Sequence, residues 1–538
     1  MSKLIDRLEI LVDQPNFKNL FKYKLIGLEK ECLRINHNGQ LANNPHPKQL
    51  GSSLTHPNIT TDFAESQLEI ITLPHHEADK IIQELFNLHN FIYQKIGSKN
   101  YLWPNSIPGL LPNDSDILIG KYGTSASATF KETYRTGLSY RYGKTMQLTC
   151  GVHFNFSFTA EFWQMYFSAI DNKSDYSQKD INSQYMAIIR NYFRISWLIT
   201  YLFGSSPVVN NKLINESNAT AHYLKPLDKN FYISPFGTSI RESDLGYHNK
   251  TNLDQLVSYD SLEDYTASLN KIMHTEDPKF VKIGKHRYNK QIQINCNILQ
   301  IENEYYSVIR PKPDINNAGN NLRPYKALQQ NGLGYLEIRN IDLNYSSPIG
   351  IDQKQCALLE LLVYYCCLQD SPKFTNSELA HIKSNKNKAT LLGRQPGLLL
   401  SNNGKQLTLK NWAENIFQDL EKIGLTIDKS NSNNPQYSET IEYYKKLINS
   451  PELTPSGVLF NELMNYEQFN KDYINYNLNQ AKLYKEQFDN TPLSAEKFDY
   501  YQMLVANSLF NQKELEQADL DNNMTLDRYI EEHYGDRF

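Results

Sequence analysis

Alternation of apolar and polar side chains marks six segments as strands: Tyr23–Ile35, Asp62–Leu73, Cys150–Phe158, Lys290–Gln300, Glu304–Arg310 and Gly334–Leu343. In the third, Val152, Phe154, Phe156 and Phe158 alternate with His153, Asn155 and Ser157. In the fourth, Ile292, Ile294, Cys296 and Ile298 alternate with Gln291, Gln293, Asn295 and Asn297, and the fifth reads as its hairpin partner across Glu302-Asn303. Each strand thus has one face for a core and one for water or ligands. From Asp352 onward the period becomes helical, with helices expected over Gln353–Leu368, Thr408–Ile423, Ser438–Ile448 and Glu467–Glu486. Met1–Asp13 reads as a short amphipathic helix, Lys429–Gln436 as a polar loop, and Pro311–Pro324 as a mobile loop. The pattern describes an α+β protein. A six-stranded, largely antiparallel sheet keeps one polar face, helices cover the other, and the C-terminal region is all-helical. The expected division is a sheet-plus-helix region over 1–350 and a helical region over 351–538 packed on the same unit.

Composition narrows the class. Of 538 residues, 40% are apolar and 21% charged, which suffices for a large core and excludes disorder. A net charge of −4 with no basic block points away from nucleic acid. The longest apolar stretches, Ile195–Gly204 and Ala357–Leu368, are about half the roughly 20 residues needed to cross a bilayer, so no membrane is expected. Cys32, Cys150, Cys296, Cys356, Cys366 and Cys367 lack metal-ligand spacing and read as buried, reduced thiols. A cytoplasmic monomer is expected. No P-loop, GxGxxG, GxSxG or HExxH motif is present. A bound nucleotide would therefore rest on metals and scattered basic groups, for which Arg310 and Lys312 are candidates, although bases in such a stretch more often belong to a solvated surface turn.

The polar faces carry the candidate chemistry. Glu29 and Glu31 leave one face of the first strand. Glu65, Gln67 and Glu69 share a face of the second, with Asp62 at its entry. His153 and Asn155 share a face of the third, and Glu337 and Arg339 of the sixth. A single Glu-x-Glu pair is usually a solvated face. Four such strands in one chain imply a shared surface whose carboxylates would repel without counter-ions, and an oxygen-rich site with one His suits Mg²⁺ or Mn²⁺.

Several stretches resemble a known family. They are Gly27-Leu28-Glu29-Lys30-Glu31-Cys32-Leu33-Arg34, Leu54-Thr55-His56-Pro57-Asn58-Ile59-Thr60-Thr61-Asp62-Phe63-Ala64-Glu65, Tyr134-Arg135-Thr136-Gly137-Leu138, Gly151-Val152-His153-Phe154-Asn155-Phe156-Ser157, Ile240-Arg241-Glu242-Ser243-Asp244-Leu245-Gly246-Tyr247 and Tyr335-Leu336-Glu337-Ile338-Arg339-Asn340-Ile341-Asp342. From about residue 20 to beyond 360 the chain resembles glutamate–cysteine ligase (γ-glutamylcysteine synthetase) of the gammaproteobacterial type, in the glutamine-synthetase-like superfamily. The resemblance implies ATP-dependent joining of the glutamate γ-carboxyl group to cysteine through a γ-glutamyl phosphate, with glutamate, cysteine and ATP as small-molecule partners. It implies Mg²⁺ (or Mn²⁺) held by Glu29, Glu31, Asp62, Glu69, His153 and Glu337. Arg339 with Glu337 would be catalytic, with Arg339 on the transferring phosphoryl group beside Arg310 and Lys312. Arg241, Tyr247, Tyr134, Gln147, Asn155 and Tyr306 would line the substrate pocket. A ligase joining glutamate to another amine is the nearest alternative. A non-catalytic metal- or nucleotide-binding protein is disfavoured because Glu29, Asp62, Glu69 and Glu337 are all present.

Overall fold

The computed structural model describes residues 3–214, 222–243, 256–314, 322–431, 434–465 and 472–534. Seven strands form the main sheet: β1 (Lys24–Asn36), β2 (Ile59–Thr61), β3 (Gln67–Ile71), β4 (Asn100–Leu102), β5 (Gly151–Phe158), β6 (Ile309–Pro313) and β7 (Leu333–Asp342). Their order is β6-β7-β5-β1-β3-β2, with β4 paired to the end of β1, and every pairing is antiparallel. The helices include α1 (Lys3–Val12), α2 (Ala78–Lys95), α3 (Ala126–Tyr142), α4 (Gln178–Phe203), α5 (Gln353–Leu368), α6 (Asn376–Leu392), α7 (Leu409–Ser430), α8 (Gln436–Asn449), α9 (Tyr473–Asp489), α10 (Ala495–Asp521) and α11 (Leu526–Tyr534), with others over Ala160–Asp171, Leu262–Met273 and Pro455–Asn465.

One face of the sheet is core. Ile26, Leu28, Val152, Phe154, Phe156, Leu336 and Ile338 are fully buried, against a layer led by α4 and α5. Each such side chain contributes roughly 1.5–3 kcal/mol on burial. Capping boxes start both helices, Ser177 with Asp180 on α4 and Asp352 with Gln355 on α5. Almost every residue of α5 is buried, as expected of a helix apolar all round. Its one buried acid, Glu360, pairs with Lys24 of β1 and accepts the Tyr437 hydroxyl at 2.8 Å. The helical region is thereby locked to the sheet.

The structure departs from the alternation pattern in several places. The segment read as one strand over Asp62–Leu73 is the end of a hairpin. Chain reversal occurs between β2 and β3, with Asp62 N–H donating to Gln67 O at 3.0 Å and Gln67 N–H to Ala64 O at 2.8 Å. Glu65 therefore does not share the face of Glu69, and its carboxylate accepts the backbone N–H groups of His46 and Lys121.

Of Lys290–Gln300 only Lys290–Gln291 is strand, paired with His286–Arg287 outside the main sheet. The rest is irregular because Arg141 satisfies it sideways, donating to Asn295 O at 2.8 Å, Asn297 O at 3.0 Å and the Gln293 side chain at 2.9 Å. Gln300 turns inward to accept Ile294 N–H at 2.9 Å, occupying the space where a Cβ on Gly137 would lie. No hairpin forms across Glu302-Asn303. Glu302–Glu304 is a 3-10 turn, and the strand begins only at Ile309. It then runs through Pro311 to Pro313, where a loop was expected. A sheet edge, which β6 is, tolerates such prolines. The remainder of that loop, 315–321, lies outside the described residues, as does Tyr247.

The C-terminal region is not all-helical, since Leu399–Asn402 and Lys405–Thr408 form a hairpin. The helix expected from Glu467 is described from Tyr473. Among the described residues, no helix is long and apolar enough to cross a membrane.

All six cysteines are free, and five are buried. Burial raises the thiols of Cys32, Cys150, Cys356, Cys366 and Cys367 above their ordinary value, which disfavours the reactive thiolate. A variant with all six replaced by Ala or Ser should unfold at lower temperature yet form product at a near-normal rate per folded molecule. Loss of turnover in a demonstrably folded sample would assign a thiol to the chemistry.

Candidate active site

Strand register builds the acidic centre. β5 lies between β1 and β7, placing Glu29 opposite His153 and Asn155 opposite Glu337, while Glu31 pairs with Glu69 across β1 and β3. All these side chains leave the face opposite the core. Ligand atoms of Glu29, Glu69 and His153 lie within 4.8 Å of one another. His153 Nδ1 is 3.0 Å from Glu29 Oε2, and Asn155 holds the other Glu29 oxygen at 2.8 Å. Glu31 approaches His153 Nε2 at 3.6 Å, with its second oxygen taking Gly151 N–H at 2.9 Å. Glu337 is 3.9 Å from His153 Nδ1. Thus three of the six expected ligands converge tightly and Glu31 and Glu337 border them. Asp62 is near enough to disfavour ionisation of Glu31 and Glu69.

The centre is electrostatically uneven. Burial first, then Asp62, Glu29 and Glu31, push the Glu69 carboxyl well above the ordinary range. Burial and Asp62 also raise Glu31. Burial would raise Glu29 too, but the His153 hydrogen bond helps carry it below the ordinary value. At Glu337 burial is overcome by Lys312 and Arg339, leaving the carboxyl well below that value. Lys312 Nζ and Arg339 Nη1 lie 3.0 and 3.1 Å from its oxygens. Two carboxylates and one imidazole, crowded enough to disfavour ionisation of Glu69, fit a hard divalent cation.

Basic groups line the β6–β7 side. Arg339 Nη1 reaches His153 Nδ1 at 3.5 Å, and its buried Nε has no hydrogen-bond partner among the described residues. A buried, unpaired guanidinium donor is costly unless an anion meets it. Arg310 is differently placed: its Nη2 donates to Asn303 O at 2.9 Å and to Tyr305 O, anchoring the preceding loop.

Helix α3 forms the opposite wall, where the family resemblance implied only Tyr134. Lys131 and Arg135, one turn apart, both stack on the Tyr122 ring, at 5.3 and 4.6 Å from its centroid. Arg135 also donates to Asp62 O. Burial and neighbouring Arg135 push Lys131 down to about 8, partly opposed by Glu69. The i, i+4 pair of bases in Lys131-Glu132-Thr133-Tyr134-Arg135 was the available signal. Tyr134 is half-buried, its backbone carbonyl taken by Gln300 at 3.2 Å. Gln147 lies in the 3-10 turn before β5, with a buried Nε2 unpartnered among the described residues.

The remaining corner surrounds Arg241. Its Nε donates to Asp342 at 2.8 Å, and its Nη2 lies 3.2 Å from Glu242 and 3.3 Å from Arg339 O. Glu242 also accepts the Tyr306 hydroxyl and pairs with Lys386 of α6 at 3.0 Å. Burial would raise Glu242, but Lys386 and Arg241 hold it at about 2 against an ordinary 4.5. A carboxyl depressed in the folded state adds stability above about pH 4.5, and this is lost as pH falls toward 2. Glu242→Gln should therefore lower Tm at pH 6–7 and narrow its gap to the parent protein at pH 3. A gap independent of pH would show that the charge of Glu242 does not stabilise the fold.

Known proteins resemble this chain over most of its length. The family model for glutamate-cysteine ligase matches residues 8–389. A glutamate–cysteine ligase of Pseudomonas entomophila (strain L48) is 37% identical over 505 residues, covering 93% of this chain and 92% of that protein. One from Aliivibrio fischeri (strain MJ11) is 40% identical over 464 residues, covering 86% and 87%. The crystal structure of the Francisella tularensis glutamate–cysteine ligase in complex with AMP superposes with a TM-score of 0.86 at 32% identity, covering 95% of this chain and 98% of that one. A bifunctional glutathione synthetase from Pasteurella multocida shares the fold, with a TM-score of 0.71 at 22% identity over 58% of its length. The acidic centre on a six-strand antiparallel path and the extent of these matches lead to one assignment: the chain belongs to the glutamate–cysteine ligase family.

Proposed function

We propose that this ligase carries out its reaction, the ATP-dependent joining of glutamate to cysteine, on the polar face of the sheet with the residues in distinct roles. In the first step an oxygen of the glutamate γ-carboxylate bonds to the γ-phosphorus of ATP, and ADP leaves with the electrons of the broken P–O bond. In the second the cysteine nitrogen attacks the resulting acyl carbon, phosphate departs, and the nitrogen loses a proton. No protein nucleophile is needed. Glu29, Glu69 and His153 would hold a divalent cation, with Glu31, Asp62 and Glu337 around it. When bound, such a cation supplies charge neutralisation for the triphosphate and the transferring phosphoryl group. Asn155 orients Glu29 through its 2.8 Å hydrogen bond.

Arg339, whose unpartnered Nε supports the reading, meets the phosphoryl oxygens, and Lys312 supplies a second positive charge 3.0 Å from Glu337. Arg310 supports this side of the nucleotide site by fixing the 303–305 loop. Arg241 receives the carboxylate of the amine substrate, with Tyr134, Tyr306 and Gln147 around the pocket. A monomer is proposed as the active species, and the unpaired thiols support a cytoplasmic location.

The observation that carries this reading is the register that brings Glu29, Glu69 and His153 within 4.8 Å. Phosphate release with ATP, glutamate and each of several amines tests it. Turnover should require Mg²⁺ or Mn²⁺, stop on chelation, and be greatest with cysteine. Undiminished turnover with chelator would overturn the metal assignment, and equal turnover with unrelated amines would overturn the acceptor assignment.

A further inference from the structure

Arg241 is held on two sides by groups from distant parts of the chain. Asp342 stands at one side. The tenth residue of β7 would face the core with Leu336 and Ile338 if alternation continued. Instead the register slips between Ile338 and Ile341, so that Arg339 and Asn340 together oppose His153. Asn340 keeps its core-side direction toward α4, where Tyr192 donates to it at 2.7 Å. The β-bulge changes the parity after it and places Asp342 opposite Gly151, on the face of Glu337 and Arg339. Asp342 is 1% exposed and accepts four hydrogen bonds: Ser205 N–H at 2.9 Å, the Ser206 hydroxyl at 2.6 Å, the Ser239 hydroxyl at 2.9 Å and Arg241 Nε at 2.8 Å. Three of these donors lock the carboxylate, and the fourth is the guanidinium.

Glu242 stands at the other side. Its carboxylate lies 3.2 Å from Arg241 Nη2 and is held in turn by Tyr306 and by Lys386, which reaches in from α6 of the helical region. Arg241 Nη1 remains without a partner among the described residues. It lies 3.0 Å from where a Cβ on Gly151 would stand, so any side chain there would press on the guanidinium and on Ile341 O.

We propose that Asp342 and the Glu242–Lys386 pair are positioning residues that fix Arg241 with Nη1 presented to the carboxylate of the amine substrate. The inference rests on the reading of Arg241 given above. A free arginine would lose rotamer freedom on capturing a carboxylate, whereas this one has lost it on folding, so binding avoids that cost. The arrangement offers one terminal nitrogen and not the planar fork, because Nε and Nη2 are already engaged. It also makes the helical region part of substrate recognition through a single lysine.

The test is steady-state kinetics on the full-length protein, varying cysteine, glutamate and ATP in turn, with thermal unfolding of each variant. Lys386→Met should raise KM for cysteine about 10-fold, since a misplaced contact acts on binding, and leave kcat and the other two KM values within about 2-fold. Lys386→Arg should restore most of the loss, and Asp342→Asn should shift the same constant in the same direction. If Asp342→Asn does not fold, Lys386→Met alone carries the test. The double variant Arg241→Lys with Lys386→Met should be no worse than Arg241→Lys alone, because both act through one guanidinium.

Fully multiplicative effects, a uniform loss across all three substrates that follows a lower Tm, or no effect of Lys386→Met would each overturn the proposal. If Arg241→Lys raises KM for cysteine but Lys386→Met does not, the clamp is wrong and the reading of Arg241 stands. If Arg241→Lys leaves that constant unchanged, the acceptor reading fails and the clamp falls with it.

Discussion

On the metal-ligand role proposed for Glu69, replacing it by Gln is expected to cost at least about 100-fold in kcat/KM through lost charge neutralisation, while making the metal-free protein more stable. The two effects share one cause. Glu69 is buried beside Asp62, Glu29 and Glu31, and these groups oppose its ionisation, with Arg135 offsetting only part of the effect. In the unfolded chain Glu69 ionises at its ordinary 4.5, so above that pH folding must either rebind a proton or bury a repelled charge. A neutral amide avoids both. Tm in chelator should therefore rise by about 1–3 °C near neutral pH, from a relief on the order of 1 kcal/mol, and the gain should disappear below about pH 4. Phosphate release and thermal unfolding of the same samples measure both. Retained activity would remove Glu69 from the cation site, and a lower Tm at neutral pH would show that the repulsion described here is absent.

Arg339→Lys is expected to lower kcat by about 100-fold, the scale for losing one donor aimed at transition-state charge, with KM for cysteine changed less than about 2-fold. Lysine keeps the charge but has a single nitrogen. It cannot pair with Glu337 from Nη1 at 3.1 Å and also present a second donor from Nε. Because phosphoryl transfer concentrates charge only as the reaction proceeds, the loss should fall on kcat. A change confined to KM for cysteine would place Arg339 in the acceptor pocket. Glu337 is a poorer probe of the same chemistry. Its removal would leave Lys312 and Arg339 without their shared carboxylate, and breaking a buried pair of this kind costs roughly 3–5 kcal/mol. Glu337→Gln should thus fail by unfolding at least as much as by lost ligation.

The central strands were legible nearly to the residue. β5 carries an uninterrupted apolar face, β1 and β7 carry apolar faces broken by Lys30 and Asn340, and a one-residue error would turn such a face to solvent. For the same reason Glu29, Glu31, His153, Asn155, Glu337 and Arg339 could be assigned to one surface before any pairing was known. The Lys290–Gln300 segment shows where alternation misleads. Its pattern is as regular as that of β5, yet its carbonyls are satisfied by Arg141, more than 150 positions earlier. The roles of Lys131 and Arg135 were not legible for a related reason: nothing local to α3 states that its basic stripe faces Glu69 and Asp62.

The sequence by itself determined which side chains share a face, because a strand's side-chain direction follows from backbone geometry two residues at a time. Together with the family motifs, this was enough to assemble the acidic centre. Tertiary structure alone decided what that centre faces. Strand order set Glu29 against His153 and Glu31 against Glu69. The slip in register after Ile338 brought Asp342 onto the polar face, against the parity of its own strand. Packing of α6 delivered Lys386 to Glu242 from 144 residues away. These outcomes depend on hydrogen-bond register and helix packing across the whole chain, and such free energies are summed over long-range contacts that no local pattern records.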